Sequence, residues 1–202
     1  MKGLLLIGFF TLSLMVKSQS GYQVGDIADD FNLKNVDGKQ VSLANYKEAK
    51  GYIVVFTCNT CPVSKAYQDR VEALNLSYAA KGYPVIAINT NDPIASPGDS
   101  FEKMQATAKS KNMSYAYLED PNHLYTKKYG AAKTPHVFIV QKTVKGNEVA
   151  YIGAIDNDTE GLNAQKETYV QNALDLLLQG KKPIVSFTKA IGCSIKWKKK
   201  VA

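Results

Sequence analysis

Internal repeats, low-complexity tracts and proline-rich linkers are missing from this 202-residue chain, and its 7 prolines are scattered, so nothing marks a boundary between domains. Arginine is nearly absent: Arg70 is the only one, and the basic character rests on lysine. Histidine is limited to His123 and His136, and cysteine to Cys58, Cys61 and Cys193. No second C-x-x-C accompanies the pair at 58 and 61, so a four-ligand zinc site would have to be completed from Cys193 and the two histidines. The apolar run at residues 4–16 falls short of the roughly 20 residues that span a bilayer as a helix.

That run has a different reading. Lys2 precedes it, and the small residues Ser18 and Ser20 follow at signal-peptidase spacing, which is the tripartite layout of a secretory signal. Residues 1–20 are therefore expected to be a signal peptide cleaved near Ser20 and Gly21, with an exported product, periplasmic or secreted. No cysteine in those residues offers a lipid attachment point, and no stable membrane insertion is expected after cleavage.

The net charge of +7 is unevenly spread. From Gly180 onward the chain carries seven lysines and no acid, and the signal holds Lys2 and Lys17, so the body between is close to neutral. The basic pI thus reports a tail and not a nucleic-acid-binding face. The expected organisation is a single domain at residues 21–180 followed by a basic tail at 181–202 that packs on it through Ile184, Val185, Phe187, Ile191, Ile195 and Trp197.

Within the domain, apolar residues at Phe31, Leu33, Val41 and Leu43 flank the turn signal Asp37–Gly38 and predict a hairpin. Residues 51–56 form a continuous β-branched and aromatic run, the pattern of a strand buried on both faces. Val63, Ala66, Tyr67, Val71, Leu74 and Tyr78 recur at helical spacing until Lys81–Gly82. A second buried strand at 84–88, a helix capped by Asp99–Ser100, a strand at 115–118, a short helix at 122–129, a hairpin turning at 145–147 and a helix over 162–178 complete the order. Strands alternating with helices imply a mostly parallel sheet covered on both faces, with reactive groups gathered at the carboxyl ends of its strands.

Cys58 and Cys61 fall at such a strand end, where the helix begins. Two cysteines three apart can close a small ring, and the free N–H groups and macrodipole of a helix start favour a thiolate. Cys58 is the expected exposed nucleophile and Cys61 the resolving thiol one turn inside. Pro62 suits the first helical turn. A structural disulfide or half a zinc site would use the same spacing, but strand-before, helix-after context is the condition attached to a redox motif.

Phe56–Thr57–Cys58–Asn59–Thr60–Cys61–Pro62, the segment from Ala87 to Asp92, Tyr129–Gly130–Ala131 leading to Thr134–Pro135–His136, and Gly192–Cys193–Ser194–Ile195–Lys196–Trp197 together resemble the thioredoxin superfamily, in the peroxiredoxin-like (redoxin, alkyl hydroperoxide reductase-like) branch that carries C-x-x-C. The resemblance runs from about Tyr22 to Trp197. It implies an α/β, thioredoxin-like fold: a central mixed β-sheet flanked by helices, with an N-terminal hairpin and a C-terminal tail. It also implies that Thr134–Pro135 is the cis-proline element facing the dithiol, where the residue before the proline offers backbone groups to a substrate chain. Two departures stand out. Thr57 replaces the tryptophan usual before the first cysteine, and residues 51–56 contain no acid to serve as the buried base. If Cys61 is aligned with a peroxidatic cysteine, Cys58 occupies the usual threonine position, which argues against efficient peroxide reduction.

The function expected is thiol–disulfide exchange on exported proteins through Cys58 and Cys61, with Thr134 and Pro135 binding substrate. The partners are disulfide-containing proteins and an unspecified redox partner, and no cofactor and no resident metal is implied. The alternatives are a weak thiol peroxidase, with Cys61 oxidised to a sulfenic acid and Cys58 resolving, and a protein that holds Cu(I) with thiolates and His136. Cys193 is expected to be a buried, inert thiol, with a third redox thiol as the competing role. Arg70 is read as a solvated charge, His136 as a packing or surface residue, and Asn89, Asn91 and Asp92 as ordinary loop residues. His123 receives no role.

Overall fold

A computed structural model describes residues 21–199. The signal assigned to residues 1–20 and the last three residues of the tail lie outside the described residues. Among the described residues, no helix is long and apolar enough to cross a membrane.

The frame is an eight-stranded sheet. In chain order its strands are β1 (Ile27–Ala28), β2 (Leu33–Asn35), β3 (Gln40–Val41), β4 (Gly51–Thr57), β5 (Val85–Asn89), β6 (Ala116–Glu119), β8 (His136–Thr143) and β9 (Gly146–Gly153). Short β7 (Lys133–Thr134) and β10 (Cys193–Ser194) pair separately. The helices are α1 (Pro62–Tyr78), α2 (Phe101–Ser110), α3 (Leu124–Tyr129) and α4 (Tyr169–Leu178). Spatial order is β1-β9-β8-β4-β5-β6-β2-β3. Only β4–β5 and β5–β6 run parallel, each pair joined by a crossover that contains α1 or α2. The remaining pairings are antiparallel, so the sheet is mixed and not mostly parallel.

Strand β4 sits at the centre and is buried along its first six residues. Its alternation divides the core: Tyr52, Val54 and Phe56 join Phe31, Ile88, Phe138 and Tyr129 on one face, while Ile53 and Val55 join Tyr67, Val71, Leu74, Leu174 and Leu177 on the other. The first face packs against Phe31, Leu43 and the α3 residues Tyr125 and Tyr129, the second against α1 and α4. The apolar stripe read along α1 is the stripe it buries.

Two expectations change. Helix α4 starts at Tyr169, seven residues later than the sequence pattern placed it. The Asp158 carboxylate accepts the N–H groups of Gly161, Leu162 and Asn163, which fixes a turn where the helix was expected and leaves Leu162 exposed. The tail also docks differently. Ile184, Phe187 and Ile191 are exposed, and the tail is held by backbone pairing. The Ile152 N–H donates to Ser186 O, and the Thr188 N–H to Ile152 O, at 3.0 and 2.9 Å. The chain then crosses to β7, where Cys193 faces Thr134 and Ser194 faces Lys133 in antiparallel register.

Candidate active site

The end of β4 delivers Cys58 and the start of α1 delivers Cys61. Cys61 is the N-cap of α1, its extended backbone (φ −70°, ψ 122°) placing the sulfur where it accepts the Ser64 N–H at 3.4 Å. Pro62 occupies the first turn, where a missing N–H costs nothing. A sulfur at this position feels both an unpaired amide and the positive end of a 17-residue helix, the two influences that favour a thiolate.

Facing it is the Thr134–Pro135 peptide, which is cis. Thr134 is fully buried and touches both sulfurs: its hydroxyl lies 3.4 Å from Cys58 Sγ, and its carbonyl oxygen 3.2 Å from Cys61 Sγ. Pro135 and Cys58 line one narrow pocket with Ser64, Tyr67 and Tyr117.

Cys193 arrives on β10, and its sulfur is joined to Cys61 in a disulfide across 132 residues of sequence. Cys58 is the free cysteine. Two expectations are corrected here. Cys193 is not an inert lone thiol, because backbone pairing of β10 with β7 carries its sulfur onto Cys61. Nor is Cys58 the exposed member of the pair: Cys58 and Cys61 are 2% and 3% exposed, Cys58 lying against Thr134 and Cys61 being joined to the tail. This approach requires a glycine. A Cβ built on Gly192 would collide with the Thr134 carbonyl oxygen, and no displacement of a flexible side chain could relieve it.

The turn between the cysteines is fixed by a carboxylate that the sequence reading treated only as a helix cap. Asp99 is 3% exposed and accepts the Asn59 N–H (2.5 Å), the Thr60 hydroxyl (2.7 Å), the Ser96 hydroxyl (2.6 Å) and the amides of Asn91 (2.9 Å) and Asn89 (3.3 Å). Burial pushes its carboxyl upward, but the bonds from Ser96, Asn91, Thr60 and Asn59 prevail and hold it below the ordinary carboxylate value. With its lone pairs engaged, Asp99 positions residues 59 and 60. Asn59 is held a second time, through the Tyr117 hydroxyl donating to its Oδ1 at 2.9 Å.

The polar residues of the β5 edge do more than form a loop. The Asp92 N–H donates to Lys196 O, the Lys196 N–H to Asn91 Oδ1, both at 2.8 Å, and the Lys198 N–H to His123 Nε2 at 2.9 Å. His123 also stacks on Trp197, with ring centroids 4.9 Å apart, and burial lowers its pKa so that Nε2 remains an acceptor. Asn91, Asp92 and His123 thus clamp the tail across the site. Only the folded tail reveals this, since the contacts span about a hundred residues.

Arg70 is likewise not a free surface charge. It donates to both oxygens of Asp156, at 2.8 and 2.7 Å, and lies 3.7 Å over the Tyr67 ring. The Tyr67 hydroxyl donates to the same carboxylate at 2.7 Å. His136 is buried in β8 with Nδ1 accepting the Ala132 N–H at 3.3 Å, and burial pulls its pKa to about 4. Among the described residues no group of three or more His, Cys, Asp or Glu side chains is arranged to hold a metal ion.

A model described as the AhpC/TSA family matches residues 24–148. An uncharacterized conserved protein from Geobacillus kaustophilus is 35% identical at a TM-score of 0.79, over 89% of this chain and 94% of its own. A hypothetical protein from Sinorhizobium meliloti 1021 is 30% identical at 0.79, over 88% and 96%. The peroxidoxin BcpB of Mycobacterium tuberculosis shares the fold at 16% identity and 0.53, over 64% and 83%. No curated protein matches. The family match ends at residue 148, before the tail and Cys193.

Proposed function

The chain belongs to the AhpC/TSA family, and from that footing we propose that it is a thiol–disulfide oxidoreductase acting on exported proteins through Cys58 and Cys61. One observation carries the reading: the neighbouring Cys58 and Cys61 meet the distant Cys193 at one helix start, two of the three joined as a disulfide and the third a free thiol against the same threonine. An oxidised pair beside a reduced thiol is a site poised for exchange.

The N-cap position of Cys61 supports roles that reverse the order expected from sequence. Cys61, whose sulfur caps α1, attacks a substrate disulfide. The substrate bond breaks, one substrate sulfur leaves as a thiolate and takes a proton, and the other stays bonded to Cys61. Cys58 then attacks Cys61 Sγ, forming Cys58–Cys61 and releasing the second substrate thiol. The substrate gains two electrons and two protons, and an external dithiol returns the enzyme to its reduced form. Thr134 and Pro135 border the sulfur path on the substrate side. Export is supported by the N-terminal signal pattern and by a disulfide of the kind that persists in oxidising compartments.

Insulin reduction with dithiothreitol as the external dithiol, run beside peroxide consumption, tests the proposal. Wild type should accelerate insulin precipitation, Cys61→Ser should not, and Cys58→Ser/Cys193→Ser should accumulate a mixed disulfide on Cys61. Peroxide consumption without insulin reduction would replace this reading with a thiol peroxidase.

A further inference from the structure

The tail meets the site in a specific way. From Cys193 it runs extended, and alternate residues face the domain: the Cys193 sulfur onto Cys61, Ile195 into the core beside the first sheet face at 5% exposure, and Trp197, still 42% exposed, stacked on His123 at the surface. Its backbone is read as well, by Thr134 and Lys133 through strand pairing, by Asn91 and Asp92 at Lys196, and by His123 at Lys198. These are the two components of strand addition: main-chain bonds give affinity, and pockets for alternate side chains give selectivity.

We propose that residues 192–197 are an internal occupant of a peptide-binding groove, and that the groove's external ligand is an extended protein segment whose cysteine follows a glycine. The inference rests on the exchange chemistry proposed above and names its substrate class. The Cys61–Cys193 bond is then an internal mixed disulfide, with Cys193 standing where a substrate cysteine stands. Release is an exchange without net oxidation: the Cys58 thiolate attacks Cys61 Sγ, the Cys61–Cys193 bond breaks, Cys58–Cys61 forms, and Cys193 leaves as a thiolate that takes up a proton. With the covalent tie gone, the strap is held by its hydrogen bonds, Ile195 and Trp197 alone; once the external dithiol has returned Cys58–Cys61 to two thiols, a competing strand can displace the strap and meet a free Cys61. The glycine requirement comes from Gly192, because any Cβ there meets the Thr134 carbonyl and not a movable side chain. An apolar residue two places after the cysteine and an aromatic four places after it match the Ile195 and Trp197 seats.

The test uses the full chain and a synthetic peptide with the sequence of residues 190–198, its cysteine activated as a thionitrobenzoate disulfide. Attack by Cys61 releases coloured thionitrobenzoate, and peptide mapping locates the adduct. In reduced Cys58→Ser/Cys193→Ser, where the tie is absent and no second thiol can resolve the adduct, the peptide should be captured on Cys61 about tenfold faster than a peptide with valine in place of the glycine, a difference of about 1.4 kcal/mol. Gly192→Val in the full chain should lose the Cys61–Cys193 bond, show Cys58–Cys61 on oxidation, and, with both proteins first reduced, release thionitrobenzoate from the glycine peptide faster than wild type. Equal rates for the two peptides, capture on Cys58, or dimers linked from Cys61 to Cys193 of a second copy would each overturn the proposal. Because capture is a single event, selective capture with no insulin reduction would leave the groove standing and remove the oxidoreductase reading. Insulin reduction with equal peptide rates would do the reverse.

Discussion

His136 shows how one buried side chain sets a pH window. Its ring is 8% exposed, its Nδ1 is occupied by the Ala132 N–H, and burial holds its pKa at about 4, against 6.5 for an ordinary histidine. The sign follows directly. Between those values the unfolded chain binds a proton that the folded chain refuses, so the stabilising contribution is whole above the ordinary value and is lost as pH falls toward 4. The ceiling of that loss is about 3 kcal/mol. Urea midpoints at pH 7 and pH 4.5 should therefore separate widely for wild type and less for His136→Gln. Equal separation in the two proteins would assign the acid sensitivity to other groups, Asp99 among them. Asp99 acts with the same sign at lower pH, since its depressed carboxyl stabilises the fold until it protonates.

At the scale of elements, α1 is anchored at both ends of its active face. Cys61 caps its start, and two turns on, Arg70 and Tyr67 hold the buried Asp156 beyond β9. Asp156 is 2% exposed along its side chain and Arg70 19%, so the pair is largely removed from water. Deleting the arginine strands a buried charge, and Arg70→Ala should cost about 3 kcal/mol, while Tyr67→Phe should cost about 1 kcal/mol. Guanidinium midpoints of the two variants check this, and a loss below the tyrosine value for Arg70→Ala would mean that Asp156 finds water instead. These anchors also mark where sequence reading stops. The hairpin of β2 and β3, the buried run of β4, the stripe of α1 and the Ser100 cap of α2 are legible because turn chemistry, periodicity and capping act within a few residues. The late start of α4 is not, since Asp158 competes for the amides of residues 161–163. The pairing of sulfurs is not legible either. C-x-x-C spacing offers Cys58 as Cys61's natural mate, and only the antiparallel register of β10 on β7 brings Cys193 there instead.

Across the whole molecule, the Cys61–Cys193 bond joins the centre of the sheet to a tail that the family match does not include. It closes a loop of 132 residues, and by chain entropy a loop of that length restricts the unfolded chain by about 4 to 5 kcal/mol, with typical measured gains of about 2 to 4. A bond between Cys58 and Cys61 would close a loop of three and, by the same relation, restrict the unfolded chain by about 2 kcal/mol, about 3 kcal/mol less. Intramolecular exchange therefore conserves the oxidation state while changing global stability. Oxidised wild type should be about 2 to 4 kcal/mol more stable to denaturant than oxidised Cys193→Ala, and adding dithiothreitol should bring the two proteins to a common level by lowering wild type more than the variant. If the oxidised proteins unfold together, the tail's hydrogen bonds to Asn91, Asp92 and His123 already supply the closure, and the disulfide serves chemistry alone. If they separate as expected, each release of the tail has a stability cost. A substrate strand seated in the same groove would then offset that cost by restoring the contacts that Cys193, Ile195 and Trp197 give up.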